Sequence, residues 1–233
     1  MSFPTNADIE RAIDEIPPEE DTHSNKSFYV VVGIVVLLFA GFLGYQQFSV
    51  PSGALTFDEL HQLNLDGKLD EKKGYVYNGF SFVFFDGLWY TDVDRNGVNY
   101  RIPLHFGPRD IEDVPVFGSV SNSFNDGVDV YITVNPLSSD QDYIALAASE
   151  LAQNLAVAIQ RRPVGACDRN ETSMCVERPI VTCETTDKAM IYLMTETGKP
   201  SVQLDNKCII VRGTGYDLVK AVDRLVLQWY GIM

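Results

Sequence analysis

Basic residues are scarce in this sequence: 18 Lys and Arg stand against 32 Asp and Glu, a formal charge of −14 over 233 residues. That balance excludes a nucleic-acid footprint, because phosphate binding needs a basic surface. It equally disfavours docking on anionic lipid through a polybasic patch. The plain role of the surplus carboxylates is to keep a domain soluble and monomeric. Histidine is rarer still, with only His23, His61 and His105. No two of them stand at metal-ligand spacing, and neither H-E-x-x-H nor G-x-S-x-G occurs, so the zinc-protease and serine-hydrolase signatures are missing. Acid–base work could use His105 with Asp110, Glu112 or Asp113 in the loop that follows, although loop carboxylates are more often simply solvated. Gly213-Thr214-Gly215 opens a helical pattern, but Leu218 stands where the third glycine of a dinucleotide loop belongs, and no Gly-Lys-Ser/Thr is present. Asp92-Val93-Asp94-Arg95-Asn96-Gly97 matches the first half of a calcium loop, yet Pro103 occupies the position of the bidentate Glu. No metal and no cofactor is expected.

One stretch lacks charge altogether. Phe28 to Gly44 reads FYVVVGIVVLLFAGFLG, and counting on to Phe48 gives about 20 residues, enough to span roughly 30 Å of hydrocarbon as a helix. It has no polar stripe, as a soluble core helix of that length would, and Tyr29 and Tyr45 sit near its ends, where amphipathic rings favour the interface. A cleaved signal peptide would carry a shorter apolar run behind a basic leader. Here the leader holds seven acids (Asp8, Glu10, Asp14, Glu15, Glu19, Glu20, Asp21) against Arg11 and Lys26, so the segment reads as a retained signal-anchor. The expected organisation is an acidic cytoplasmic tail over 1–27, a transmembrane helix over 28–48 and an extracytoplasmic domain over 49–233, with a subdivision near 120–127 considered. Lys26 and Arg11 precede the apolar run and no base follows it before Lys68, which favours N-in, C-out. The glycines Gly41 and Gly44 are three apart, so no GxxxG dimer motif is present.

The remaining roughly 180 residues suffice for one medium domain. Thr56-Phe57-Asp58-Glu59 fits a capping box at the start of a short helix. Asn78-Gly79, Asp86-Gly87 and Asn96-Gly97 then punctuate aromatic or β-branched runs near 75–77, 80–85, 88–93 and 98–106, the pattern of an antiparallel meander. Pro103 places the last run at an edge or a bulge. A strand over 128–134 leads into a helix over 141–160, capped by Ser139 or Asp140 and carrying Ile144, Ala147, Leu151, Leu155 and Ala158 on its apolar stripe. Strands follow near 179–183, 189–195 and 208–211, and a final helix over 216–230 buries Leu218, Val222, Leu225, Val226 and Trp229. The fold class is therefore α+β, or mixed α/β: a meander followed by a strand-helix-strands-helix unit.

Cysteine is also sparse, but its placement is informative. Cys167, Cys175, Cys183 and Cys208 all lie C-terminal to the apolar run, and an even number on one side of a membrane points to two disulfides in an oxidising compartment. Of three pairings, Cys167–Cys175 with Cys183–Cys208 is favoured, the first closing a loop and the second joining a strand end to a strand start. A four-cysteine zinc site would normally show a C-x2-C knuckle, and none occurs. Asn170-Glu171-Thr172 is an N-x-T sequon between the first two cysteines, making Asn170 a glycosylation candidate in a possible glycoprotein.

Three stretches, YNGFSFVFFDGLWYTDV (Tyr77–Val93), LHFGPRDIEDVPVFG (Leu104–Gly118) and CIIVRGTGYDLVKAVDRLVLQWYGI (Cys208–Ile232), together resemble uncharacterised single-pass envelope proteins of archaea. The resemblance covers most of the outer domain and implies a location, with no activity or ligand attached. The expected function is thus a non-enzymatic, membrane-anchored extracytoplasmic binding or structural protein of the cell envelope, contacting the bilayer through Phe28 to Phe48 and a protein or envelope partner through its outer domain. The alternatives are an anchored hydrolase acting on envelope polymers and an accessory subunit of a membrane complex.

Overall fold

Two-residue turns build the first sheet. In the computed structural model, which describes residues 29–37, 55–184 and 187–233, β1 (Gly74–Tyr77), β2 (Phe80–Phe85), β3 (Leu88–Arg95) and β4 (Val98–Leu104) form an antiparallel meander in the order β1-β2-β3-β4. Registers closing at Tyr77↔Phe80, Phe85↔Leu88 and Arg95↔Val98 leave two residues in each turn. Asn78, Gly79, Asp86, Gly87, Asn96 and Gly97 all adopt positive φ, which matches the right-handed twist of the flanking strands. The calcium-like segment is thereby accounted for as the β3–β4 hairpin, and Pro103 sits on an edge strand, where no ladder N–H is needed. Ahead of the meander, α1 (Phe57–Leu65) carries the full capping box between Thr56 and Glu59 and packs on β1 and β2.

The second sheet has six strands: β5 (Val116–Val120), β6 (Asp129–Val134), β7 (Arg162–Cys167), β8 (Met190–Thr195), β9 (Ser201–Asn206) and β10 (Cys208–Gly213), in the order β5-β9-β10-β8-β6-β7. β7, β6, β8 and β10 run parallel; β9 returns antiparallel to β10, and β5 lies parallel to β9. Two helices complete this unit: α2 (Gln141–Val157), which crosses from β6 to β7, and α3 (Tyr216–Trp229), which follows β10.

Several sequence expectations shift here. The helix expected over 141–160 stops at Val157, and Asp140 at its N-cap makes no side-chain cap bond. Its carboxylate instead accepts from the Gly215 amide at the start of α3, 3.0 Å away. The strand expected at 179–183 is only an isolated bridge, Cys167↔Ile180. Three strands were not expected at all: β5, β7 and β9.

α3 is the element around which the rest is arranged. Leu218, Val219, Ala221, Val222, Asp223, Leu225, Val226 and Leu227 are all buried, on more than one side of the helix. It packs on α2, β10 and β9, and on the turn at 108–110 that follows the meander. One core therefore runs from Phe82, Ile102 and Leu104 of the meander through α2 and α3 to Ile191, Val202 and Val211 of the second sheet, with each fully buried Leu or Ile contributing about 1.5–3 kcal/mol. The opposite face of the second sheet carries a smaller core of Ala166, Val181, Met190 and Cys208. Residues 55–233 form a single unit.

The turn into α3 depends on Gly213. A Cβ there would stand 2.5 Å from the Asp217 carbonyl carbon and the Leu218 nitrogen, both backbone atoms. Gly213→Ala is expected to destabilise the domain by about 2–3 kcal/mol, measured by urea denaturation. An unchanged midpoint would refute the close-approach explanation of this glycine.

Residues 29–37 are helical, with exposed apolar side chains. The rest of the expected span over 28–48, the tail over 1–27 and the linker up to residue 54 lie outside the described residues. Among the described residues no helix is long and apolar enough to cross a membrane.

Candidate functional site

A buried chain of three titratable groups forms where the meander meets the two long helices. His105 directly follows β4, Glu150 lies on the inward side of α2 beside Ala147 and Leu151, and Asp223 lies mid-way along α3. His105 Nδ1 meets Glu150 Oε1, the Glu150 and Asp223 carboxyls lie close enough for the Glu150 charge to act on Asp223, and the Phe106 amide donates to Asp223 Oδ2 at 2.8 Å; Glu150 Oε2 and Asp223 Oδ1 are buried without a hydrogen-bond partner. Asp223 has no exposed surface and Glu150 only 8%, whereas 28% of the His105 side chain reaches solvent.

Burial dominates the electrostatics. It pushes the Asp223 carboxyl well above its ordinary range, the neighbouring Glu150 charge pushes the same way, and the amides of Phe106 and His105 pull back only in part. Burial raises Glu150 as well, opposed by the hydrogen bond and charge of His105. Two adjacent carboxyls in a dry environment resist ionising together, so the pair holds a proton to higher pH than free carboxyls do. Chemically the arrangement is a proton-sharing chain whose only outlet is the imidazole. No Ser, Thr or Cys side chain among the described residues hydrogen-bonds to His105.

The acid partners expected for His105 from sequence are elsewhere. Asp110 accepts from the Gly107 amide at 3.0 Å, Glu112 hydrogen-bonds Tyr77, and Glu150, 45 residues from His105, takes the expected place. The two residues that sequence reading missed had a signal: each is a carboxylate set into an apolar helical stripe, Glu150 next to Leu151 and Asp223 next to Val222.

A second constellation has the composition of a catalytic triad without its geometry. His61 Nδ1 lies 2.9 Å from Ser81 Oγ, and His61 Nε2 lies 3.9 Å from Asp92 Oδ1. Ser81 Oγ also accepts from Asn64 Nδ2 at 2.7 Å, so the hydroxyl is held between Asn64 and the ring. Arg101 clamps Asp92 through two 2.8 Å bonds and also reaches Asp58. Burial lowers the His61 pKa, with Asp92 pulling it back, and the ring is only 8% exposed. Asn64 further donates to the Tyr75 and Phe82 carbonyls at 3.0 and 3.2 Å. These bonds pin α1 to the meander.

The cysteines form Cys167–Cys175 and Cys183–Cys208, with Cα separations of 6.0 and 5.5 Å. Both separations fall in the usual disulfide range. Asn170 is exposed on the loop closed by the first bridge. Among the described residues no three His, Cys, Asp or Glu side chains gather as ion ligands. No family model, no curated protein and no solved structure matches the chain.

Proposed function

We propose that the chain is a membrane-anchored extracytoplasmic binding or structural protein of the cell envelope, tethered by the apolar run from Phe28 to Phe48 with its N-terminus in the cytoplasm. The observation that carries this reading is the pair of disulfides, both C-terminal to that uncharged run. Stable disulfides belong to oxidising compartments, and an anchor of about 20 residues with bases only on its N-terminal side delivers the following domain there. The exposed sequon at Asn170 fits the same compartment.

The absence of a nucleophile beside His105 favours binding over catalysis. An anchored hydrolase of the glycosidic type needs two carboxyls roughly 5–9 Å apart across a cleft. Glu150 and Asp223 are instead buried side by side and shut away from solvent, not set across a cleft. A role as accessory subunit of a membrane complex shares the same tether and differs only in the partner.

Alkylating thiols in freshly isolated membranes, with and without reductant, tests the placement. We expect no labelled cysteine before reduction and four after it, with Asn170→Gln lowering the apparent mass on the same gel if the sequon is used. Four freely alkylated thiols before reduction would reject the extracytoplasmic domain.

A further inference from the structure

The last residue of α3, Trp229, lines a cleft of about 190 Å³ whose walls are of two kinds. Leu155, Ile159 and Trp229 supply apolar surface, and Arg95 and Arg161 supply positive charge. Arg101, Arg162, Arg169 and Arg212 each hold a carboxylate elsewhere in the domain; Arg95 and Arg161, like Arg109, Arg178 and Arg224, make no ion pair among the described residues. Arg161 spends Nη1 on the Phe124 carbonyl at 2.8 Å and Nη2 on the Asp129 carbonyl at 3.1 Å. Both acceptors are neutral, and its Nε is buried with no hydrogen-bond partner. The nearby Asp129 carboxylate is taken by Arg162, at 2.6 and 2.8 Å. Arg95, half-buried at the end of β3, makes no side-chain hydrogen bond or ion pair among the described residues.

Such a placement is unexpected in a chain with 32 acids available to 18 bases. Burial of the Arg161 guanidinium against this surface carries a desolvation cost that the charges of Asp126 and Asp129 offset only in part, and a bound anion would offset more of it. We propose that this cleft binds a small amphipathic carboxylate, its carboxylate held by Arg95 at the positively charged wall shared with Arg161 and its apolar body lying on Trp229, Leu155 and Ile159. The volume is below the roughly 300–1,000 Å³ of sites for drug-sized ligands, so the occupant is a single ring or short branched chain bearing one carboxylate. The site gives the binding reading above a ligand class and rests on that reading, while needing nothing from the membrane tether.

The chain contains two tryptophans, so Trp89→Phe leaves Trp229 as the sole indole. In the full chain, kept in mild detergent, phenylacetate should change Trp229 emission saturably at millimolar concentration. Phenylacetamide, the neutral counterpart, should bind at least tenfold more weakly, and inorganic phosphate at matched ionic strength should not compete. Arg95→Gln should weaken phenylacetate at least tenfold without moving the melting temperature, since its side chain holds no other group. The proposal is overturned by an unsaturable response, by equal binding of acid and amide, by phosphate outcompeting phenylacetate, or by unchanged affinity in Arg95→Gln. The comparison of acid with amide needs no arginine variant, so it decides the matter even if Arg95→Gln folds poorly. Failure here, with the disulfides intact in membranes, would leave the tethered domain standing and remove this ligand from it.

Discussion

Asp223→Asn is expected to change stability little at about pH 4 and to increase it by about 1–3 kcal/mol at about pH 8. Burial and the Glu150 charge raise the Asp223 pKa in the folded state, so the native protein binds more protons than the unfolded chain above the ordinary carboxylate range. Unfolding then releases protons, and stability falls as pH rises from about 4 through the folded-state value. Asparagine keeps the two useful contacts, since its carbonyl can accept from Phe106 and its amide can donate to Glu150, and it has no proton to lose. Other groups shape the acid side. Burial pushes Asp92 up, but Arg101 outweighs it and holds the carboxylate below its usual value, so that contribution is lost as pH falls through the lowered value. Burial lowers His61, so its contribution grows with pH across the histidine range and partly masks the Asp223 effect in the parent protein. Urea denaturation of parent and variant at both pH values isolates the Asp223–Glu150 pair, because His61 and Asp92 cancel in the difference. Parallel curves would show that Asp223 does not carry the bound proton.

The disulfides should be unequal. Their sequence separations are 8 and 25, and loop-closure entropy assigns about 2.5 kcal/mol to the shorter and about 3.5 kcal/mol to the longer. Replacing Cys183 and Cys208 together by alanine should therefore lower the melting temperature by roughly 7–14 °C, more than the same change at Cys167 and Cys175. Packing reinforces the order: Cys208 belongs to the small core on the outer face of the second sheet, where Cys183 also packs. Scanning calorimetry of the two double variants decides it. A larger loss from the shorter loop would show that native packing around the wholly buried Cys167, not chain entropy, sets the balance.

What could be read from the sequence was whatever local chemistry determines. The meander was legible because each turn announces itself through Asn-Gly or Asp-Gly, and the α1 boundary because Thr56 and Glu59 satisfy each other's backbone. β5 and β7 were illegible because they are the two edges of their sheet. β7 carries Pro163 and Gly165, residues that argue against a central strand and are tolerated at an edge. β9 is short and polar, SVQLDN, and owes its conformation to β5 and β10 on either side. The long-range site was hidden for a similar reason. His105 offered itself to the acids nearest in sequence, while Glu150 and Asp223 come to it only because α2 and α3 pack against one another. The capped end expected of Asp140 failed for the same cause, since tertiary packing gives its carboxylate to Gly215 instead.

The burial of α3 also bears on the timetable of folding. Ribosomes deliver a chain from its N-terminus, and α3 is made after all ten strands. Until residue 229 has been synthesised, β9 and β10 have no helix to lie against, and the apolar faces of Val202, Ile209 and Val211 stay open to water and to other chains. The meander with α1 can close early from neighbouring contacts, but the larger sheet must wait. A nascent chain stalled before α3 would thus present the stickiest surface this domain ever has, which makes the last helix the step most dependent on protection by chaperones.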